Sequence, residues 1–401
     1  MLIVAEGAVW LLRPGETPPD PAPVKESDYF DAAEVERARD YREGQRLLMI
    51  VGLGAQGALM VALVLGRPRF ARRGLARLGK RPVLGAAAAG AGLSLTVALV
   101  TLPTSVWAHE RSVEVGLSTQ SLGTWFADLG KSAAIGAALT ALGATILLAI
   151  VRRFGRNWWV PGAAAVVALA AVFTWLAPVV LAPLFNRFDP LPANSPQRLE
   201  VLELGEQTGV DIGEVYRVDA SRRSTALNAY VGGLGSTKRV VLYDNLIDHV
   251  DPAELRSVVA HELGHVRHSD ILRGLGFVAI VAPLGLLFVR EVSGGLAGRT
   301  GADLGSPAAL PAYALAIGIA SFALNIPGNQ LSRQIEVSAD SFALAITGAP
   351  GALVDLQQRL TESNVGDPDP PGWVNVLYGT HPPALERIGA AVAYSEGERP
   401  D

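Results

Sequence analysis

Residues 132–151 spell SAAIGAALTALGATILLAIV, a run of 20 residues without a charge. A helix needs about 20 apolar residues to cross the ~30 Å hydrocarbon core of a bilayer. Five more runs of spanning length share this character, with Arg273 as their one charge, and they are residues 47–66, 83–107, 157–186, 271–289 and 306–330. One such run is compatible with a buried core helix, whereas six in one chain predict a multi-pass membrane protein whose fold is a mainly α helical bundle.

The composition of the 401-residue chain agrees with this fold and excludes several functions. Half of the residues are hydrophobic, and 18% are charged, against roughly 25% in an ordinary soluble domain. The absence of cysteine excludes disulfides, a thiol nucleophile and zinc sites with thiolate ligands. Any bound metal must therefore be held by His, Asp or Glu. The net charge of −4 argues against nucleic acid as a partner.

The apolar runs divide the chain into five parts. Asp31 with Glu34 has the form of a helix N-cap and capping box, and we expect the charged helix that follows to lie at the membrane surface. Residues 1–12 are apolar but too short to cross the membrane, so we expect six spans rather than seven. The predicted parts are an N-terminal segment with a surface amphipathic helix (1–46), four transmembrane helices (47–186), a first polar part (187–270), a transmembrane hairpin (271–330) and a second polar part (331–401).

The first polar part has a mixed α and β character. Ser195 and Gly209 bracket a pattern typical of a helix with a cap and a glycine stop. Three short stretches, 215–218, 227–231 and 239–243, predict strands separated by Gly and Ser turns. Because the hairpin separates the two polar parts, we expect both to assemble into one small α+β domain at one face of the bundle.

Two loops between the predicted spans are strongly basic. Their basic residues, without an acidic residue between them, are Arg67, Arg69, Arg72, Arg73, Arg77, Lys80 and Arg81 in the first loop, and Arg152, Arg153 and Arg156 in the other. The positive-inside rule makes this side cytoplasmic and places residues 187–270 on the opposite side. Binding of nucleic acid or anionic lipid is an alternative explanation of a basic run, but membrane topology accounts for both loops at once.

The pentapeptide His261-Glu262-Leu263-Gly264-His265 carries the clearest chemical signal. The segment 251–254, Asp-Pro-Ala-Glu, predicts the start of a helix just upstream. On a helix, four residues are about one turn, so both imidazoles lie on one face and can share a metal ion. Glu262 stays near enough to act as general base toward a water on that metal. The alternative is a pair of surface histidines on an amphipathic helix.

A third ligand is available further along the chain. Glu336 and Asp340 are one turn apart in a stretch with a helical pattern just after the sixth apolar run. By pattern alone, Glu336 is one choice among several carboxylates. Asp340 could accept a hydrogen bond from a ligating imidazole and so fix its tautomer. Asp270, at the end of the histidine helix, is expected to cap or orient neighbouring groups rather than to act in catalysis, and we assign no role to His249 and His268.

With these residues in place, the sequence resembles the M48 zinc metallopeptidases, specifically the membrane-embedded Ste24 type (CAAX prenyl proteases). The resemblance covers residues from about 28 to 388, nearly the whole chain. The matching motifs are Phe30 with Arg37–Tyr41, Leu181–Asn186, Asn228–Tyr230, Lys238–Asp244, His261–His265, Ser332-Arg333 with Glu336 and Asp340, and Thr380–Pro382 with Arg387.

The resemblance implies a small α+β metallopeptidase domain of the gluzincin type, formed by the two polar parts. It implies that His261, His265 and Glu336 bind one zinc ion and that Glu262 activates the attacking water. Asp340 would accept a hydrogen bond from the ring nitrogen of a histidine ligand that does not face the metal. The activity that the resemblance implies is the hydrolysis of peptide bonds in protein or peptide substrates.

Further roles follow from the same resemblance. His381 would stabilise the oxyanion of the tetrahedral intermediate, with Arg387 supporting that region. Asn228 and Ala229 would lie on an edge strand to which an extended substrate adds as another strand. Considered alone, His381 before two prolines is more typical of a turn residue.

The resemblance leaves some questions open. The eukaryotic members have a cytosolic active site, whereas the basic loops place residues 187–270 on the other side, so the side stays undecided. We expect a multi-pass protein of the cell membrane whose partners are membrane lipids and protein or peptide substrates, with or without a lipid modification. One alternative is a quality-control protease of the same superfamily that cleaves misfolded membrane proteins. Another, of a different class, is a zinc-dependent membrane sensor or a transporter without hydrolytic activity.

Overall fold

The structure is a computed structural model that describes residues 1–15, 20–66, 68–233 and 238–397. Arg67 of the first basic loop therefore lies outside the described residues. The helices are α1 (Leu2–Leu12), α2 (Ala32–Val61), α3 (Arg69–Leu78), α4 (Pro82–Glu114), α5 (Leu122–Phe154), α6 (Trp159–Leu176), α7 (Pro196–Thr208), α8 (Asp244–His249), α9 (Pro252–Arg267), α10 (Asp270–Thr300), α11 (Leu310–Thr347), α12 (Pro350–Ser363), α13 (Gly372–Tyr378) and α14 (Ala384–Ser395).

Within the described residues, six helices are long and apolar enough to cross a membrane. They are α2, α4, α5, α6, α10 and α11, with α2 and α6 each continuing into a π-helical turn. Each contains one of the six apolar runs, so the predicted bundle of six membrane helices is confirmed.

Helix α2 differs from the expectation of a separate surface helix before the first span. The charged residues and the first apolar run form one helix, because no Gly-Pro break interrupts it after the N-cap at Asp31, whose side chain accepts from the N–H groups of Ala33 and Glu34. Its charged half packs against the C-terminal part of the chain, where Arg42 donates to the carbonyl of Val365 at 2.7 Å. Helix α2 thus connects the membrane to the polar domain.

Helix α1 is too short to span a bilayer, as predicted, and it lies against α10 and α11. Ala5 and Ala8 are buried there beside Phe277, Val281 and Leu324. Small side chains allow this close helix packing in an apolar medium.

A four-stranded sheet forms part of the polar domain. Its strands are β1 (Phe188–Pro190), β2 (Glu214–Val218), β3 (Ala229–Gly232) and β4 (Arg239–Tyr243), in the order β1-β2-β4-β3. β2 and β4 are parallel, and the other two pairs are antiparallel. The three predicted strands are present, with β4 at its predicted bounds and β2 and β3 shifted at their ends by one or two residues, whereas the three-residue β1 was not predicted. β3 is an edge strand.

The two polar parts share one hydrophobic core. Buried side chains from the first part, such as Leu242 and Leu263, pack in the same cluster as Leu344, Leu353 and Ala391 from the second. Helix α11 connects this core to the membrane, because it runs unbroken from the sixth apolar run into the polar domain despite an internal Pro327. The predicted boundary at residue 330 therefore falls inside a helix.

Candidate metal centre

Helix α9 presents two histidines side by side. A capping box at Asp251 and Glu254 starts the helix as the sequence predicts. One turn separates His261 from His265, and their Nε2 atoms lie 3.2 Å apart. His261 is buried, with 7% of its surface exposed. The two rings therefore converge on one point.

Glu336 on α11 completes this cluster. Its Oε2 lies 3.3 Å from His261 Nε2, and its Oε1 lies 3.6 Å from His265 Nε2. One ligand atom from each of the three residues lies within 4.8 Å of the others, which is close enough for a shared metal ion. The structure thus brings together the three residues predicted as ligands.

The hydrogen bonds around the cluster fit a metal ion. The Nδ1 atoms of both histidines face carboxylates, at Asp340 and Asp270, so in the neutral rings both Nε2 atoms carry lone pairs. Glu336 Oε2 is buried and has no aligned hydrogen-bond donor among the described residues. With both rings neutral, lone pairs that face each other in this way are suited to bind a cation between them.

His261 is supported by a buried ion pair. Its Nδ1 lies 2.8 Å from Asp340 Oδ1. Arg387 of α14 donates two hydrogen bonds of 2.6 Å to the same carboxylate. Burial alone would lower the pKa of His261, but its contacts with Asp340 and Glu336 outweigh burial and raise the pKa to about 10 in the protein without metal. Binding of a metal must therefore displace a proton from this ring.

His265 is held by contacts with the membrane helix α10, which in turn contacts α1. Its Nδ1 lies 3.0 Å from Asp270 Oδ2, at the start of α10. Arg273 donates to Asp270 Oδ1 at 3.1 Å and to the carbonyl of Leu12, the last residue of α1, at 2.7 Å. The orienting role expected for Asp270 agrees with this contact. These contacts of Arg273 were not predicted from the sequence, although a lone charge in a membrane span signals a function.

Glu262 lies between the two histidines in sequence and is enclosed by the protein. Loss of solvent raises the pKa of its carboxyl group, although the neighbouring imidazoles act in the opposite direction. The backbone N–H of Val231 on β3 donates to the carboxylate. A carboxylate with a raised pKa near the converging ligands is suited to accept and return a proton.

The edge strand β3 lines a cavity beside Glu262. The N–H of Tyr243 bonds to the carbonyl of Asn228, and in an antiparallel pair the next residue directs its backbone groups to the other side. The backbone of Ala229 therefore points to the free edge, where its N–H bonds to the side chain of Asn228 at 2.9 Å. The cavity measures about 550 Å³, and Asn228, Ala229, Glu262 and His381 are among its lining residues.

His381 lies on the opposite side of this cavity. Its Nε2 is 3.4 Å from Glu336 Oε1, and its Nδ1 is 2.9 Å from the hydroxyl of Thr380. With 59% of its side chain exposed into the cavity, the ring is accessible to a substrate. The surrounding protein lowers the pKa of His381, which favours a neutral ring. Arg333 of α11 fixes this loop through the carbonyl of Gly379.

The other two histidines of this region lie outside the ligand cluster. His249 bonds through Nδ1 to the carbonyl of Asn245 at 2.8 Å. His268 Nδ1 lies 3.3 Å from the hydroxyl of Ser338. Neither of these contacts involves His261, His265 or Glu336.

Comparison with family models identifies both halves of the chain. Residues 198–395 match the model of peptidase family M48. Residues 16–187 match a model described as the CAAX prenyl protease N-terminal region with five membrane helices. Four of the candidate spans, α2, α4, α5 and α6, lie mainly in that range.

Individual relatives agree with the family models. The chain is 32% identical over 306 residues to "Uncharacterized metalloprotease YhfN" of Bacillus subtilis, which covers 74% of this chain and 70% of that protein. It is 34% identical over 236 residues to a "CAAX prenyl protease 1 homolog" of Oryza sativa, which covers 56% of this chain and 53% of the rice protein. The crystal structure of S. mikatae Ste24p has the same fold, with a TM-score of 0.78 at 21% identity, covering 97% of this chain and 95% of that one.

A helical membrane bundle joined to an α+β domain with two histidines and a glutamate around one point defines a membrane-embedded metallopeptidase. The chain belongs to peptidase family M48, as its motifs predict. It is a multi-pass integral membrane metalloendopeptidase, and the alternative of a non-hydrolytic sensor or transporter is not favoured.

Proposed function

We propose that His261, His265 and Glu336 hold one zinc ion and that Glu262 is the general base for peptide-bond hydrolysis. The observation that carries this proposal is the convergence of two imidazoles and a carboxylate, each imidazole being tied to a carboxylate through Nδ1. Two histidines and a glutamate form a catalytic zinc set that leaves a fourth position open.

The chemistry divides between the metal and the protein. Zinc would polarise the peptide carbonyl and lower the pKa of water at the open position. Glu262 would accept the proton of the attacking water and return it to the leaving amine, a transfer that its raised pKa supports. His381, across the cavity, would donate to the oxyanion.

An extended peptide is the substrate that the cavity favours. The free edge of β3 offers backbone groups at Ala229 to a peptide strand, and Asn228 lies beside it. The name of the relative from Oryza sativa, a CAAX prenyl protease 1 homolog, points to CAAX-type processing of lipid-modified tails. Cleavage of misfolded membrane proteins by the same centre is the alternative.

Glu262→Gln tests the mechanism. This variant should retain zinc but lose about 10²–10⁴ in kcat, because the amide cannot accept the proton. Zinc content and turnover of purified protein in detergent are measured together, with Glu203→Gln on α7 as the control. A variant that retains both zinc and turnover would exclude Glu262 as the base.

A second experiment tests the substrate class. Purified protein is incubated with a prenylated tail peptide and with an unmodified unfolded protein, each with and without a zinc chelator. Chelator-sensitive cleavage of the prenylated peptide supports CAAX-type processing. Cleavage of the unfolded protein alone would assign the quality-control role, and cleavage of neither would contradict both.

A further inference from the structure

A second cavity lies inside the membrane bundle, away from the metal centre. Its volume is about 300 Å³, and helices α4, α5, α6, α10 and α11 enclose it. Its polar side chains include Thr140 and Tyr313, whose hydroxyls already bond to the carbonyls of Gly136 and Leu304. The walls are otherwise apolar, so the chemistry of this cavity fits a hydrocarbon chain rather than a peptide.

The depth of the cavity matches one leaflet of a bilayer. On α5 its lining runs from Thr140 to Ile150, and along α6 it runs from Trp158, the residue just before the helix, to Leu169. At 1.5 Å per residue, each distance is about 15 Å. Half of a hydrocarbon core of ~30 Å is the same length, so an acyl chain of one leaflet would fill the cavity along its axis.

Positive charge lies beside one end of the cavity. Arg152, Arg153 and Arg156 follow Ile150 and precede Trp158, which line this end, and all three arginines are exposed. None of the three forms an ion pair within the described residues; Arg152 instead donates to the carbonyl of Gly305. Exposed guanidinium groups beside an acyl-sized cavity complement a phosphate headgroup.

Trp158 and Tyr313 line the same end of the cavity. The side chain of Trp158 is buried, with 2% of its surface exposed. Its ring lies edge-on to the ring of Tyr313, with 5.7 Å between the centroids. The two aromatic rings present apolar surface to an acyl chain.

We propose that this cavity is a binding site for an anionic phospholipid of the leaflet on the arginine side. One acyl chain occupies the space between the five helices, and the phosphate contacts Arg153 and Arg156. Topology alone explains why these loops are basic. It does not explain an apolar cavity that opens beside them.

The lipid tail of a substrate is a different occupant, and distance argues against it. The cavity ends on α11 at Ile317, whereas Glu336 lies 19 residues further along the same helix, about 28 Å away. A lipid group close to the scissile bond would have to cross this gap before it entered the cavity. The gap is longer than the cavity itself.

Two glycines on α5 provide matched variants. A Cβ at Gly143, which lines the cavity, would meet no atom within 4 Å, and the same holds at Gly130, which lies outside the cavity on the same helix. Gly143→Leu therefore adds a side chain at the cavity wall from a Cβ that meets no neighbouring atom, while Gly130→Leu controls for the general effect of a glycine-to-leucine change in this helix.

Native mass spectrometry of the full-length protein tests the proposal, with phosphatidylglycerol and phosphatidylcholine of equal chain length as probes. Wild type and Gly130→Leu should retain one phosphatidylglycerol, and Gly143→Leu should bind it at least about tenfold more weakly. A variant with both Arg153→Gln and Arg156→Gln should lose about 30-fold in affinity for phosphatidylglycerol but keep its weak affinity for phosphatidylcholine. Thermal unfolding and zinc content confirm that each variant is folded.

Three outcomes would overturn the site. They are unchanged retention in Gly143→Leu, equal retention of both lipids by wild type, and displacement of phosphatidylglycerol by an equimolar prenylated peptide. The last outcome would assign the cavity to the substrate tail. Because the readout is lipid retention, the result is independent of the proposed peptidase mechanism.

Discussion

His261 and His265 face each other across the metal centre, but different parts of the molecule hold them. Behind His261, the carboxylate of Asp340 receives both hydrogen bonds of the Arg387 guanidinium, and only 5% of the Asp340 side chain is exposed. Behind His265, the carboxylate of Asp270 shares Arg273 with a backbone carbonyl of α1. One imidazole is thus fixed by the polar domain and the other by the membrane helices, so the two supports should fail in different ways.

The largest difference is expected when each carboxylate is neutralised. Asp340→Asn should destabilise the protein without metal by about 3–5 kcal/mol, because it leaves Arg387 buried without a counter-charge. Asp270→Asn should cost about 1–2 kcal/mol, since Arg273 keeps its bond to the carbonyl of Leu12. Chemical unfolding in detergent measures both values. Equal losses would contradict the comparison, and adding Arg387→Met to Asp340→Asn should recover part of the stability.

The pH dependence of zinc affinity tests the support of His261, because this imidazole must lose a proton before it binds a metal. The pKa of His261 is raised from 6.5 to about 10, so its protonation stabilises the metal-free fold fully below pH 6.5, and this contribution is lost as the pH rises through 10. A metal binds only the neutral ring. Zinc affinity should therefore rise about 100-fold between about pH 7 and 9, with about one proton released per ion.

Titration calorimetry in buffers of different ionisation enthalpy counts that proton. A zinc affinity that stays constant over this pH range would show that His261 is already neutral in the metal-free protein. The Asp340–Arg387 pair behind His261 would then differ less from the contacts behind His265 than the geometry indicates.

The His265 side is tested by Arg273→Gln. Loss of the guanidinium frees Asp270 to move and should lower zinc affinity about tenfold, the lower end of the range for groups behind metal ligands. Competition with a chelator gives the affinity, and Arg290→Gln on the same helix, where Arg290 pairs with Glu291, is the control. If both variants lose zinc equally, Arg273 has no specific role.

The smallest effect is expected from deletion of residues 1–12, which removes α1 and the Leu12 carbonyl. Zinc affinity should fall by less than about tenfold, because Arg273 still bonds to Asp270. In the Arg273→Gln background the deletion should have no further effect, since the partner of that carbonyl is already absent. Additive losses would show that α1 acts on the centre by another path.

The sequence predicts some of these contacts and misses others for identifiable reasons. Helical spacing within one segment places His261 beside His265, and hydropathy alone predicts the membrane helices. The bond between Arg273 and Leu12 joins residues 261 positions apart, and no local pattern encodes it. Helix α2 was divided in the prediction because its composition changes at residue 47, whereas the backbone bonds of a helix continue through such a change.

The order of the supporting residues along the chain also has a consequence for biosynthesis. Asp340 follows His261 by 79 residues, and Arg387 follows Asp340 by another 47. At a synthesis rate of about 5–20 residues per second, the histidines emerge on the order of ten seconds before Arg387. The buried ion pair behind His261 therefore forms only after α14 docks, when the last membrane helix, α11, has already been synthesised.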